Sequence, residues 1–372
     1  MITVKEISTK KELKKFVRFP FKLYKNNKYW VPPIINDEVE SFDKSKNPVF
    51  KHADARFFLA YKNNKIVGRI VAIINWIEIN EQKIKKMRFG WFDFIDDIEV
   101  SKSLLDKVIE IGKQNELEFV EGPVGFSNLD KVGVLTFGFD HIGTMVTWYN
   151  YPYYQNHFEQ LGYQKSQKFI ENHFFVKDVK IEKFSRFAEI LKKRFKLKAL
   201  NFTTTSEIMQ YADEMFALFN RSYSKLPSFV PMSDAQIDYF KEKYLPFINP
   251  DFIKFVVDEN NKLVSFSITM PSFSRALQKA NGKLFPFGII RLLYAKKYIN
   301  ESIFYLIGVA PEYQKKGITA IVFDEYFKTY QKIGVKKCIL TPELEDNTDI
   351  HLIWKNFNPV THKKRCTFKL DI

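Results

Sequence analysis

The 372-residue chain is poor in the residues that build disulfide frameworks and zinc sites. It has two cysteines, Cys338 and Cys366, and six histidines. Neither cysteine sits in a metal-ligand spacing, and the histidines do not cluster. Because both kinds of site need closely spaced ligands, the sequence argues against either one, and we predict no metal site.

Long apolar runs are also absent. No stretch is long enough to cross a bilayer as a helix. The N-terminal residues, MITVKEISTKKELKKF, lack the apolar segment of a secretory signal. We therefore expect a soluble, cytoplasmic protein with no membrane insertion.

Acidic residues are outnumbered, with 43 Asp and Glu against 58 Lys and Arg, for a formal charge of +15. Such an excess favours anionic partners such as phosphorylated cofactors, nucleic acid or an anionic membrane. The alternative is a compositional bias whose lysines lie on solvated faces. We favour this alternative because the densest basic stretch is only KKRFKLK at residues 192–198.

Apolar residues make up 45% of the chain and aromatic residues 16%, which is ample material for packed cores. The length predicts roughly two domains, and an internal repeat supports them. FLAYKNNKIVGRIVAI at residues 58–73 aligns without gaps with FVVDENNKLVSFSITM at residues 255–270. Each copy reads as two strands around an Asn-Asn-Lys turn, because asparagine tolerates the positive φ of tight hairpins.

The elements after each hairpin recur in the same order: strand, helix, strand, helix, strand. This order predicts a mixed α/β fold with two domains, at residues 1–177 and 178–372. We expect Ser101 or Ser103 to cap a helix in the first half. In the second half Thr204 and Glu207 fit a capping box.

The stretch LIGVAPEYQKKGITAIVFDEYF, residues 306–327, joins a strand to a helix through a basic, glycine-bearing loop. The first amides of a helix have no intrahelical partner and attract anions. Gly317 would allow close backbone approach, and Lys315 and Lys316 would add positive charge. The pattern is typical of a phosphate-binding site.

This stretch, within this order of elements, resembles the acyl-CoA signature of the GNAT (Gcn5-related N-acetyltransferase) family. Val309, Pro311, Gln314 and Gly317 match the pattern V-x-P-x-x-[Q/R]-x-x-G-x-[G/A], whereas Thr319 replaces its last small residue. The resemblance implies two GNAT-like domains, each a mixed twisted sheet flanked by helices, and acetyl-CoA or another acyl-CoA as cofactor. The cofactor-binding residues that it implies are Val309, Gln314, Lys315, Lys316, Gly317, Ile318, Thr319 and Asn347.

The first half lacks this loop and has Asp96, Asp97 and Glu99 in its place. Acidic groups at a helix start stabilise the helix but repel a pyrophosphate. We therefore expect a first domain that has lost cofactor binding and contributes to the acceptor site. The loop at residues 121–140 and the segment at 147–154 are candidates for that contribution, or for packing between the domains.

The resemblance implies a general base and, in the last helix, a tyrosine as general acid. Trp354 and Phe158 stand at the two tyrosine positions, and neither is a phenol. Tyr305 and Glu343 are the candidate catalytic residues in their place. Glu345 is a further candidate, and Cys338 lies in an apolar strand that favours a core position.

Three functions follow as hypotheses. The first is an acyl-CoA-dependent N-acyltransferase, an acetyltransferase by preference, that acts on an unidentified amine. The second is a tRNA-dependent aminoacyltransferase of the type that adds amino acids to peptidoglycan peptides. The charge favours it mildly, but the Gln314 loop argues against it and against a nucleic-acid partner, because such proteins need no site for the CoA pyrophosphate. The third is a non-catalytic acyl-CoA-binding protein.

Overall fold

The computed structural model describes residues 1–226, 229–243 and 248–372. The first half of the chain contains β1 (Ile2–Glu6), α1 (Lys10–Leu23), α2 (Ile35–Ser41), β2 (Ala53–Lys62), β3 (Lys65–Asn75), α3 (Trp76–Asn80), β4 (Lys86–Phe94), α4 (Ile98–Gln114), β5 (Phe119–Gly122), β6 (Val134–Phe137), α5 (Tyr153–Gln160) and β7 (Gln164–Phe175).

The second half follows the same plan. It contains α6 (Ile181–Phe195), β8 (Lys198–Leu200), α7 (Thr205–Met209), α8 (Ala212–Tyr223), α9 (Asp234–Lys243), β9 (Ile253–Val257), β10 (Leu263–Pro271), α10 (Ser274–Ala280), α11 (Phe287–Lys297), β11 (Glu301–Val309), α12 (Thr319–Ile333), β12 (Lys337–Leu340), β13 (Glu343–Leu344), α13 (Thr348–Trp354) and β14 (Val360–Asp371). The mixed α/β class is confirmed.

The strands of both halves form one continuous sheet, in the order β1-β2-β3-β4-β5-β14-β7-β12-β11-β10-β9-β8. β13 is attached to β7 and β6 to β14. Neighbours are antiparallel except for two pairs, β4 with β5 and β11 with β12, which are parallel and hold equivalent places in the two halves.

The last strand of each half lies beside the sheet of the other half. β14, from the end of the chain, pairs with β5, and β7, from the end of the first half, pairs with β12. β14 and β7 also pair with each other, so they join the two halves of the sheet. Residue 177, where the sequence predicts a boundary, follows directly after β7.

A buried cluster of three charged side chains connects β14 with β7. Arg365 on β14 donates to a carboxylate oxygen of Glu171 on β7, and the Lys363 Nζ lies 3.5 Å from its other oxygen. All three side chains are 1% exposed. The two cations hold the pKa of Glu171 below its usual range against the opposing effect of burial.

The repeated hairpins form as the sequence predicts. Asn63 and Asn64 join β2 to β3 with φ of 49° and 59°, and Asn261 joins β9 to β10 with φ of 60°. Asparagine is suited to these turns because its short polar side chain tolerates the left-handed region.

The predictions for the helix starts have mixed outcomes. The capping box of Thr204 and Glu207 is confirmed at the start of α7. The prediction for α4 is wrong, because Asp97 caps this helix and Ser101 and Ser103 lie inside it. The Asp97 side chain accepts the Glu99 N–H at 3.1 Å, so the helix begins one turn before the predicted serine cap.

Helices cover the sheet and enclose separate apolar cores. α4 packs on β3 and β4 in the first half, and α12 packs on β9 and β10 in the second, with α6 beside it. None of the helices described is both long enough and apolar enough to cross a lipid bilayer.

Candidate functional site

The parallel strands of the second half separate before β11 ends. β11 pairs with β12 from Glu301 to Phe304, but β12 ends at Leu340 while β11 continues to Val309. Within the described chain, the edge of β11 beyond Phe304 therefore has no strand beside it on this side. A cavity of about 960 Å³ lies at this divergence.

A bulge in β11 lies at the point of divergence. Leu306 faces Ile268 of β10 and Phe304 faces Thr269, so Tyr305 is an extra residue on β11. A bulge bends a strand and redirects its side chains. Tyr305 lines the cavity, and its hydroxyl donates to the carbonyl oxygen of Leu129 at 3.0 Å.

The loop that follows β11 leaves several amides free at the start of α12. Within the loop, the backbone amides of Gln314, Lys316 and Ala320 donate hydrogen bonds to nearby carbonyl oxygens. The amides of Gly317, Ile318 and Thr319 donate no hydrogen bond to any described residue, and no side chain caps the helix. Such a turn offers preformed donors and a partial positive charge to an anion.

Gly317 is required by the shape of this turn. Its φ is +78°, a region that residues with a Cβ rarely adopt. A Cβ on Gly317 would also lie 3.0 Å from the ring of Phe187, which projects from α6. Phe187 thus closes the outer side of the turn and lines the cavity.

The other predicted residues of the loop divide into two groups. Val309, Gln314, Lys315, Ile318 and Thr319 line the cavity together with Gly317. The Gln314 side chain donates to the Val309 carbonyl at 3.2 Å, which stabilises the turn.

Lys316 does not line the cavity. Its ammonium group lies 5.5 Å from the ring centroid of Phe195 and 5.3 Å from that of Tyr313. Lys315, with φ of 61°, supplies the exposed positive charge on the cavity side of the turn.

Glu343 is the most unusual ionisable group in the cavity wall. Its carboxyl accepts a hydrogen bond from the Trp354 indole N–H at 2.5 Å. The other carboxylate oxygen has no hydrogen-bond partner in the described chain, and the His351 Nδ1 lies 3.9 Å from it. Burial raises the pKa of Glu343 to about 8, and the Trp354 hydrogen bond opposes this shift.

The remaining candidates differ in setting. Asn347 lines the cavity and caps α13, accepting the Ile350 N–H at 3.3 Å. Glu345 is exposed and pairs with Lys364 at 3.3 Å. Cys338 lies in the core, where burial raises the pKa of its thiol to about 12, so it is not a thiolate at neutral pH.

The first half closes one side of the cavity. Residues 127–132 and Val146 line it, and Asn128 accepts the Val230 N–H at 3.0 Å. The 147–154 segment packs elsewhere, because Tyr154 donates or accepts a hydrogen bond with Tyr24 inside the first-half core. Only the earlier of the two candidate loops therefore reaches the cavity.

Phe187 and Tyr223 also contribute to the cavity wall, although the sequence did not predict it. The Tyr223 hydroxyl donates to the Ile307 carbonyl at 3.0 Å and so occupies one acceptor on the open edge of β11. No motif marks these two positions, because they lie on α6 and α8, which are distant in sequence from the Gly317 turn. An exposed phenylalanine in the amphipathic α6 was the one available signal.

The equivalent place in the first half is filled by its own backbone. β4 and β5 diverge after Arg88 and Glu121, but the Val124 amide donates to the Phe89 carbonyl at 2.8 Å. A Cβ on Gly90 would lie 2.4 Å from the Val124 carbonyl, so the chain passes directly through this gap.

The start of α4 is likewise occupied by the protein's own groups. Asp97 caps the helix and pairs with Lys62 at 2.7 Å, while Asp96 lies 3.0 Å from the His157 Nε2. The arrangement leaves no equivalent of the open amides at Gly317.

Solved structures share this architecture over the whole chain. A tandem GNAT protein from the clavulanic acid biosynthesis pathway superposes with a TM-score of 0.59, at 8% identity, covering 100% of this chain and 98% of its own. The chain has a tandem GNAT-like fold. A GCN5-related N-acetyltransferase from Sphaerobacter thermophilus superposes with a TM-score of 0.51, also at 8% identity, covering 100% of this chain and 95% of its own.

The chain also has relatives in sequence. Protein YghO from Escherichia coli is 27% identical over 322 residues, covering 86% of this chain and 81% of the relative. The bacterial ceramide synthase of Caulobacter vibrioides is 24% identical over 326 residues, covering 84% and 82%. No protein-family model matches the sequence.

The GNAT resemblance inferred from residues 306–327 is thus confirmed at the level of the fold. Trp354 and Phe158, which the sequence resemblance places at the tyrosine positions, are both buried. Phe158 stacks on Phe368 with centroids 4.4 Å apart, as a core residue does. Trp354 instead holds the Glu343 carboxyl, so its position remains part of the cavity wall.

Proposed function

We propose that the protein is an acyl-CoA-dependent N-acyltransferase, which moves an acyl group from CoA to an amine. The observation that carries the proposal is the turn at Gly317, whose open amides lie at the mouth of a cavity beside an unpaired strand edge. The first turn of α12 suits a pyrophosphate, and the edge of β11 suits the amide groups of pantetheine.

The residues that we propose to bind the acyl donor fit acyl-CoA in three ways. Gly317 to Thr319 offer backbone N–H groups, Lys315 offers a positive charge, and the diverging strands offer a path between them and Glu343. Acyl-CoA, when bound, supplies a thioester whose carbonyl carbon accepts the amine. Positioning the two reactants is the main contribution of such a cavity.

Glu343 is the proposed base. The amine nitrogen forms a bond to the acyl carbon, the carbon–sulfur bond breaks, and the proton lost by the amine passes to the Glu343 carboxylate. A pKa of about 8 suits this role because it lies near the working pH. Tyr305 is the proposed donor of the proton that the leaving thiolate takes up, since it lines the same cavity.

A long-chain amine is the acceptor class that we favour. The relative from Caulobacter is named a ceramide synthase, and a ceramide is the amide of a fatty acid and a long-chain amino alcohol. The cavity is large, and apolar side chains line much of it, among them Leu129, Phe169, Phe187, Leu306 and Phe323. Such a cavity accommodates long chains as readily as an acetyl group.

The first test is calorimetric titration of CoA and acetyl-CoA into the wild type and a Gly317→Glu variant. We expect the wild type to bind and the variant to lose binding, because the new carboxylate would repel the pyrophosphate. Gly334→Glu is the matched control: Gly334 has φ of +85° at the other end of α12 and no neighbour within 4 Å of a Cβ.

The second test is product formation, followed by mass spectrometry. Acetyl-CoA and palmitoyl-CoA are each offered with a long-chain amino alcohol and with short amines. We expect amides of the long-chain amine. CoA binding without turnover would support the binding-protein hypothesis, and tRNA retention without CoA binding would support aminoacyl transfer.

A further inference from the structure

The segment formed by α10 and α11 exposes an unusually large apolar surface. Six large side chains between residues 285 and 298 are 58–72% exposed, and together they define what we call the docking face: Phe285, Phe287, Ile290, Leu293, Tyr294 and Tyr298. Soluble proteins rarely leave so many large apolar groups together on one short segment without a partner.

The docking face is a consequence of helix geometry. Phe287, Ile290 and Tyr294 follow one another at helical spacing and share one side of α11. The opposite side packs inward: a Cβ on Gly288 would lie 2.1 Å from the Lys283 carbonyl, which shows how closely α11 meets the preceding turn. The helix is therefore apolar on both sides while only one of them is covered.

The charge of this segment has one sign. No Asp or Glu occurs from residue 260 to residue 300, whereas six basic residues lie between 271 and 300: Arg275, Lys279, Lys283, Arg291, Lys296 and Lys297. None of these six forms an ion pair with any residue that the structure describes. Their positive charge is thus left for an external partner.

The segment is fixed to the body of the protein rather than suspended from it. The Gln278 side chain donates to the carbonyl oxygens of Lys28 and Trp30, both at 2.9 Å, and the Ile35 amide donates to the Gly282 carbonyl at 3.0 Å. None of the six docking-face residues lines the cavity. The apolar surface is therefore not an extension of the candidate acyl-transfer site.

We propose that the docking face binds the surface of a lipid bilayer that contains anionic phospholipids. Exposed aliphatic and aromatic side chains, together with unpaired basic residues, are the features of helices that lie in the membrane interface. A second copy of the chain is a poor fit, because it would bring two sets of six positive charges together. The protein would bind peripherally through this face, in keeping with the lack of a membrane-crossing helix among the residues described.

Vesicle co-sedimentation tests this proposal with the full chain and no substrate. The wild type is mixed with vesicles of phosphatidylcholine alone, or of phosphatidylcholine with phosphatidylglycerol. We expect it to sediment only with the anionic vesicles at low salt, and to be released as salt is raised.

Two sets of variants separate the apolar and electrostatic contributions. Phe287→Gln, Ile290→Gln and Leu293→Gln combined should abolish sedimentation, whereas Phe137→Gln with Val360→Gln should not, although those side chains are also more than half exposed. Lys283→Gln combined with Lys297→Gln should weaken binding by about 30-fold, because each basic residue near the membrane surface contributes roughly fivefold to the affinity. Lys65→Gln with Lys113→Gln is the matched control for exposed charge elsewhere.

Several results would overturn the proposal. These are a wild type that stays in the supernatant with anionic vesicles, a triple variant that binds as the wild type does, and control variants that lose binding equally. Self-association in analytical ultracentrifugation that only the triple variant lacks, without vesicle binding, would assign the face to a second copy instead. Because no acyl transfer is measured, failure here leaves the proposed function untouched.

Discussion

Glu343 combines properties that rarely meet in one side chain. It is largely buried, one oxygen holds the indole N–H of Trp354, and the other has no partner among the described residues. Burial disfavours its charged form, which raises its pKa to about 8 from the usual 4.5. Its ionised fraction therefore increases most steeply close to pH 8.

Glu343→Gln should lower kcat by about 10²–10⁴-fold, because the amide keeps the shape and the Trp354 hydrogen bond but accepts no proton. The wild-type kcat should rise with pH through about 8, and the pH profile of the variant should lack this rise. Pre-steady-state product formation over a pH series measures both, and calorimetry should show unchanged CoA affinity.

Glu345→Gln is the control for this variant, since Glu345 is a neighbouring but exposed carboxylate. A Glu343→Gln enzyme with the wild-type rate and pH profile would remove Glu343 from the mechanism.

Trp354→Phe tests whether the indole positions this carboxyl. The hydrogen bond lowers the pKa of Glu343 against the effect of burial, so its loss should move the rising limb of the pH profile upward by about one pH unit. A merely structural Trp354 would lower stability but leave the limb at its wild-type pH.

At the scale of elements, the starts of α4 and α12 show how one helix position serves two purposes. In α4 the Asp97 side chain accepts the Glu99 amide and is paired with Lys62. In α12 no side chain caps the first turn, and the amides remain open beside the cavity. The dipole and orphan donors are thus opposed by an acidic side chain in one half, and in the other they are accessible to the proposed ligand.

Asp97→Ala should lower the unfolding free energy by about 1 kcal/mol through loss of the cap, while CoA affinity stays unchanged. Urea denaturation and calorimetry measure the two quantities. Asp106→Ala, within the same helix and exposed, is the control and should cost less. Loss of CoA binding in Asp97→Ala would contradict the assignment of the donor site to the second half.

At the scale of the whole molecule, the exchange of β7 and β14 makes each half depend on the other. β14 lies between β5 and β7, and β7 lies between β14 and β12. Cutting the chain after residue 177 leaves the first half without β14 and the second without β7. Each fragment would expose an unpaired sheet edge and lose the Arg365–Glu171 pair.

We therefore expect fragments 1–177 and 178–372 to lack cooperative unfolding when expressed separately and to recover it when co-expressed. The intact chain should unfold in one transition, as followed by circular dichroism. A fragment from residue 164, which keeps β7, should be more ordered than one from 178. Independent cooperative unfolding of fragments 1–177 and 178–372 would instead favour two autonomous domains.

The local features of the protein follow directly from its sequence. The Asn63–Asn64 and Asn261 turns, the capping box of Thr204 and the glycine turn at 317 each depend on residues within a few positions of one another. Backbone preferences of asparagine, threonine and glycine are sufficient to predict them. The repeated order of elements then predicted the GNAT-like fold.

The pairing of distant groups was decided only in three dimensions. In the sequence, Trp354 indicates only that the expected tyrosine is absent. In the folded chain, its indole N–H donates to Glu343, which lies on a separate strand. The exchange of β7 and β14 and the approach of Leu129 to Tyr305 likewise depend on strand register over more than a hundred residues. Periodicity reports the face on which a residue lies and is silent about which distant residue it meets there.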